Sequence, residues 1–192
     1  MTRPRSFWMR WRVRLGYPLA LIFWLLANPT PRSILIGSLI GVVGVFVRAA
    51  AAGYLHKDRE LAISGPYART RNPLYLGSAI LAAGIVVAGH SLWAGMLTTV
   101  YFCIFYSAVM RNEEADLRDR FGAAFNHYAA RVPLFFPHLV GGSHRELLSA
   151  NEPDKFSWTQ FNRNREYRAL LGAVVGLGAL FLRYWLRKRF GY

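Results

Sequence analysis

The sequence predicts an all-α fold, a polytopic membrane protein with about five transmembrane helices and an amphipathic helix on the cytoplasmic side. Three observations predict it. The 192-residue chain is 54% hydrophobic and 15% aromatic yet carries a formal net charge of +14, a combination rarely seen in a soluble domain of this length. Its apolar residues fall into five blocks, most of them close to the ~20 residues a spanning helix needs. Its basic residues collect between alternate blocks. The chain reads as one membrane domain in three parts: two N-terminal helices over 1–54, a core over 55–137, and a loop with a C-terminal helix over 138–192.

The first block, Leu15 to Ala27, is short and is expected to extend back through Trp8, with its arginines snorkelling to the boundary. A cleaved signal is not expected here, because Asn28-Pro29-Thr30-Pro31 offers no small-x-small site. Ser33 to Ala52 is apolar or small apart from Arg48. Pro73 to Gly89 and Leu92 to Val109 flank a Gly89-His90-Ser91 turn. Leu117, Phe121, Ala124 and Tyr128 then recur at helical spacing, which predicts an amphipathic helix ended by Val132-Pro133 and Pro137. Phe156, Trp158, Phe161 and Tyr167 form an aromatic belt before the last block, Ala169 to Leu186. Gly37-x-x-x-Gly41 and Gly172-x-x-x-Gly176 offer small faces for close packing within the monomer.

Arg3 to Arg14, Lys57 to Arg71 and Arg111 to Arg168 alternate with the blocks, so all three basic segments are expected on one face, the cytoplasmic one. The tail residues Arg183, Arg187, Lys188 and Arg189 break this pattern, and the last helix is expected to cross despite them. The basic face suits anionic lipid headgroups, so membrane lipids are the expected partners and nucleic acid is not.

The chemistry that remains is narrow. Five histidines show no ligand spacing, no Gly-x-Ser-x-Gly elbow or phosphate loop occurs, and Cys103 stands alone in the fourth block. No metal site is expected. A polar loop, Gly65-Pro66-Tyr67-Ala68-Arg69-Thr70-Arg71-Asn72-Pro73-Leu74-Tyr75-Leu76-Gly77, runs straight into the third block, and Glu113-Glu114 follows the fourth. Ionisable groups at a membrane boundary are costly and usually functional. Adjacent glutamates on a helix point about 100° apart, so one can face a pocket while the other meets solvent or an arginine. The set suits a cationic or zwitterionic cofactor brought to a lipophilic substrate.

Residues 55–137 resemble the isoprenylcysteine carboxyl methyltransferase and phospholipid methyltransferase group of integral membrane enzymes. Gly65-Pro66-Tyr67, Arg71-Asn72-Pro73-x-Tyr75-x-Gly77, two apolar blocks, Glu113-Glu114, Phe121-Gly122, Tyr128 and Val132-Pro133 follow the group's order and spacing. The resemblance implies S-adenosylmethionine as cofactor and methyl transfer to a lipophilic acceptor: a prenylcysteine-like carboxylate, a phospholipid amine or another small lipid. Carried over by position, the cofactor contacts are Arg59, Glu60, Leu61, Ala62, Tyr67, Asn72, Pro73, Leu74, Tyr75 and Glu113. Arg71 and Asn72 are the catalytic candidates. With the motif loop on the basic face, a multi-pass protein with its active site facing the cytoplasm is expected.

Two positions depart from the group. Asn72 stands where the group has histidine, and an amide donates a hydrogen bond without titrating near neutrality. Val109 stands where the isoprenylcysteine enzymes carry a substrate-contacting arginine; nearby Arg111 is the substitute candidate. Membrane sterol reductases share a related C-terminal plan and supply the alternative, an NADPH-dependent reductase. A glutamate pair in the pocket would repel the cofactor's phosphate, which favours the methyltransferase reading.

Overall fold

The computed structural model describes residues 7–56, 60–137 and 155–191, with side chains from residue 10 onward. Helix α1 (Phe7–Leu26) and helix α2 (Pro31–Gly53) are joined by a tight turn. A 3-10 turn over Gly65–Ala68 precedes α3 (Pro73–Gly89). Helix α4 (Leu92–Arg131), the short α5 (Trp158–Arg163) and α6 (Tyr167–Phe190) complete the fold. No strand occurs among the described residues.

Three helices, α2, α4 and α6, are long and apolar enough to cross a membrane by length and composition. Helix α3 is as apolar but has only 17 residues. Helix α1 has 20 residues but carries Arg10, Arg12 and Arg14. Of the five spans expected, three are therefore supported by length and composition, and the count of five is not confirmed. Large apolar side chains on their outer faces, such as Leu39, Phe46, Val100 and Val175, are exposed, as helices embedded in lipid require.

One expectation is corrected. The amphipathic helix is not separate: α4 runs unbroken through the Asn112-Glu113-Glu114 segment, because no Gly or Pro stands between Gly95 and Gly122. The glutamates lie midway along a 40-residue helix and not at a helix start. The break comes at Gly122, with φ 52° and ψ −120°, a conformation for which glycine alone carries no penalty. Beyond it the chain is re-aimed, and Phe125 and Tyr128 turn inward.

Helices α2 and α3 share a glycine seam. A Cβ added at Gly44 would stand 2.5 Å from the Leu81 nitrogen, and one at Gly84 would stand 2.6 Å from the Gly37 carbonyl. Backbone touches backbone, and membrane helices without a hydrophobic drive to associate pack well in this way. Gly37 and Gly41 thus serve packing within the chain, as expected. The second pair differs: a Cβ at Gly172 meets nothing within 4 Å.

The far end of the bundle explains the basic tail. Asn28 N–H donates to the Gly89 carbonyl at 2.7 Å, which sets the α1–α2 turn beside the end of α3. Arg183 Nε donates to the Ala27 carbonyl at 2.6 Å, its Nη2 to the Leu25 carbonyl, and Arg187 to Asn28 Oδ1. The last carbonyls of a helix lack partners of their own, and these arginines supply donors. Helix α6 therefore runs the length of the bundle, with its start at the opposite, motif-bearing end. There Ser157 N–H donates to the Gly53 carbonyl at 3.0 Å, and Asn164 Nδ2 donates to the carbonyls of Ala52 and Leu55 at 2.9 and 3.0 Å.

Candidate active site

The polar motifs converge because two irregular segments need each other's hydrogen bonds. Residues 132–137 carry two prolines and cannot continue the helix, so their carbonyls need donors from elsewhere. The loop before α3 provides them. Arg71 N–H donates to the Pro133 carbonyl at 2.9 Å, and Asn72 Nδ2 to the Leu134 carbonyl at 3.0 Å. Thr70 Oγ1 donates to the Phe135 carbonyl at 2.9 Å. The Tyr128 hydroxyl adds a fourth tie, donating to the Tyr67 carbonyl at 2.6 Å. Beneath this clasp Phe125, Tyr128 and Val132 are buried, with Leu61, Ile63, Leu117 and Phe121 packed around them.

The glutamates then face different partners, as their divergence on a helix requires. Glu113 Oε1 accepts from the Tyr75 hydroxyl at 2.6 Å. Glu114 Oε1 lies 2.9 Å from Arg71 Nη1. That second contact is an ion pair by distance, but its angles do not make a hydrogen bond: Glu114 Oε1 is buried without one, and so is Arg71 Nε. Burial pushes the Tyr67 phenol far above its ordinary range, with the neighbouring Tyr128 and then Glu113 adding to the effect. Tyr67 is a neutral side chain beside the glutamates.

The expected site residues divide accordingly. Tyr67, Arg71, Asn72, Pro73, Leu74, Tyr75 and Glu113 lie in or beside this cluster. Leu61 packs beneath it, Ala62 is half-buried, and Glu60 is exposed. Arg59 lies outside the described residues. Arg111 is exposed, whereas Val109, where related enzymes place an arginine, is buried at 1% exposure. Asn72 makes no side-chain cap on α3, since its amide is taken up by Leu134.

Sequence reasoning missed Thr70, Tyr106, Arg48 and Glu166. Arg48 Nε and Nη2 donate to Glu166 Oε2 at 3.0 and 2.7 Å, and Nη1 donates to the Leu74 carbonyl at 3.2 Å and to Ser78 Oγ. A lone arginine in an otherwise apolar block was the available signal. Glu166, outside the motif-bearing core, gave none. Among the described residues no three His, Cys, Asp or Glu side chains gather to hold a metal ion.

Comparison with known proteins follows the same segment. Residues 31–124 match the phospholipid methyltransferase family. The chain is 33% identical over 106 residues to the nickel-cobalt-cadmium resistance protein NccN of Alcaligenes xylosoxydans xylosoxydans, covering 52% of this chain and 49% of that one. It is 32% identical over 136 residues to the cobalt-zinc-cadmium resistance protein CzcN of Cupriavidus metallidurans, covering 67% of this chain and 62% of that one. The chain thus spans about half to three-fifths of the length of these relatives. No solved structure matches. The family match takes in α2, the Gly-Pro-Tyr turn, α3 and the glutamates of α4, so residues 31–124 of this apolar, all-helical chain belong to the phospholipid methyltransferase family of integral membrane methyltransferases.

Proposed function

We propose that the protein transfers a methyl group from S-adenosylmethionine to a lipophilic acceptor at the cytoplasmic boundary of the membrane. The observation that carries this reading is the half-satisfied pair of Arg71 and Glu114. A buried cation with an unbonded Nε beside a buried carboxylate oxygen without a hydrogen bond is costly unless a ligand completes it. An amino-acid end, with one carboxylate and one ammonium, fits that demand. Arg71 would hold the carboxylate and Glu114 the ammonium. Glu113, fixed by Tyr75, would accept from ribose hydroxyls.

When bound, S-adenosylmethionine supplies a methyl group already activated on a sulfonium. The chain then has to position and to exclude water. The clasp of residues 70–72 on 133–135 closes one side of the site. Arg71, Glu113 and Glu114 would hold the cofactor so that its methyl group faces an oxygen, nitrogen or sulfur of the acceptor, and any proton the acceptor carries would leave to solvent. Asn72 takes no part in that proton transfer, since its amide is bound to Leu134 and does not titrate. The named relatives make a place beside metal resistance part of this proposal, and methylation of a membrane component is the route the site supports.

The test is calorimetric titration of the full chain in lipid nanodiscs with S-adenosylmethionine and, separately, with NADPH. Saturable binding of the first and none of the second is expected. The reverse result would replace methyl transfer with the reductase reading.

A further inference from the structure

The arginines of α1 do not share one role. Residues 10, 12 and 14 are spaced so that Arg10 and Arg14 lie on nearly one face and Arg12 about 200° from each. Arg10 and Arg14 are exposed, while Arg12 is half-buried. The α1 backbone is fixed against α4 there, because the Tyr101 hydroxyl donates to the Arg12 carbonyl. The Arg12 guanidinium lies 5.4 Å from the centre of the Tyr106 ring. Tyr106 stacks on Phe102 at 4.0 Å and meets the Tyr75 ring edge-on at 5.6 Å. Tyr75 in turn holds Glu113 and also meets the Arg12 side chain, so a cation stands beside the tyrosine that fixes Glu113 in the candidate methyl-transfer centre.

Its surroundings are unusual for a cation at this depth. Arg48 is paired with Glu166 and Arg71 with Glu114, but among the described residues no carboxylate pairs with Arg12. On the adjoining face of α1, Val13, Tyr17, Leu21 and Leu25 form an exposed, largely apolar stripe suited to lipid. Arg12 therefore stands at the boundary end of the site. Its partners there, the Tyr106 ring and the Tyr75 hydroxyl, are neutral, so its charge is left uncompensated, at a cost in free energy that an anionic ligand would recover.

Resting on the methyltransferase reading above, we propose that Arg12 is an acceptor-positioning residue, which holds an anionic oxygen group of the lipophilic acceptor beside Tyr75 while the acceptor's tail lies along the exposed stripe of α1. It does the work for which Arg111 was the sequence candidate, and it comes from outside the family-matched segment. The shared chemistry is a carboxylate or a phosphate on an apolar tail.

The experiment measures binding to the full chain in nanodiscs of neutral lipid, with oleate, lysophosphatidate and neutral oleamide as probes. It compares wild type, Arg12→Gln and Arg12→Lys, and titrates each with S-adenosylmethionine. Arg12→Gln is expected to weaken whichever anionic probe binds by about tenfold to a hundredfold. Arg12→Lys should recover most of that, with oleamide and S-adenosylmethionine affinities within twofold throughout. The proposal is overturned if both anionic probes bind wild type and Arg12→Gln alike, or if oleamide loses as much as they do. Oleate or lysophosphatidate alone depending on Arg12 supports it and names the acceptor group. If the Arg12 dependence appears while S-adenosylmethionine fails to bind wild type, the site stands and the methyltransferase reading falls.

Discussion

Arg48 with Glu166 and Arg71 with Glu114 are both arginine–glutamate pairs at the motif-bearing end of the bundle, and both are largely shielded, with side-chain exposures of 20% and 11% against 15% and 17%. They differ in completion. Arg48 directs its nitrogens to Glu166, the Leu74 carbonyl and Ser78, which ties α6 to α2 and α3. Arg71 leaves Nε unbonded, and its glutamate partner has an oxygen in the same condition. Burial and charge are matched, so the difference lies in hydrogen-bond accounting. A saturated pair has nothing left to offer a ligand and serves as a joint between helices. An unsaturated one keeps donors and acceptors pointed at something else.

The comparison breaks first if Arg48 does not behave as a joint. Arg48→Leu strands the Glu166 carboxylate and should cost about 3 kcal/mol of stability, toward the low end for a buried pair because both groups retain some solvent. Denaturant titration in mixed micelles reads this, and a loss no greater than that of Arg71→Leu would erase the distinction. Arg71→Leu should act on the ligand instead: S-adenosylmethionine affinity should fall by about 2 kcal/mol, roughly thirtyfold, with a smaller effect on unfolding. Unchanged affinity in calorimetry would remove Arg71 from the site.

A smaller effect sharpens the picture of the clasp. Burial raises the Tyr67 phenol pKa in the folded state above its unfolded value. The stability this contributes is fully present below pH about 10, the unfolded value, and falls as pH rises beyond it, because the unfolded chain gives up a proton that the folded chain keeps. Tyr67→Phe should therefore flatten the loss of stability between pH 9 and 11, a change of about 1 kcal/mol. An alkaline limb identical to wild type would show that Tyr67 is not the group responsible.

Much of this architecture was legible in the sequence because the signals were local. Apolar blocks gave α2, α3 and α6 nearly to their ends, since lipid leaves a helix little choice. The Gly-Pro-Tyr, Asn-Pro and Val-Pro punctuation marked the segments that form the clasp, although nothing in it revealed that Thr70 and Asn72 bind the 134–135 carbonyls. Such contacts join residues more than sixty positions apart, and periodicity carries no information at that range. The continuity of α4 was missed because a polar stretch was read as a boundary, while helix geometry depends on the absence of Gly and Pro and not on polarity. Arg48 was visible as an oddity and Glu166 was not, so the joint could not be assembled from either alone. Gly77 was noted only as the end of the Tyr-x-Gly motif, and Gly84 sat unremarked in an apolar run, so half of the glycine seam was not recognised.

The brevity of α3 has a consequence for how the protein meets its surroundings. Seventeen residues rise about 25 Å, some 5 Å less than the roughly 30 Å of a typical hydrocarbon layer. The seam with α2 fixes α3 so that it cannot slide to share the shortfall. Either the bilayer thins around it, or the residues at its start sink beneath the level of the lipid phosphates. In both cases Asn72, Tyr75 and the clasp would lie near the plane of the lipid glycerols, where the lipid-tethered acceptor proposed above would reach them without being lifted out of its leaflet. Membrane thickness would thereby enter the proposed methyl transfer, as a variable that a water-soluble methyltransferase never meets.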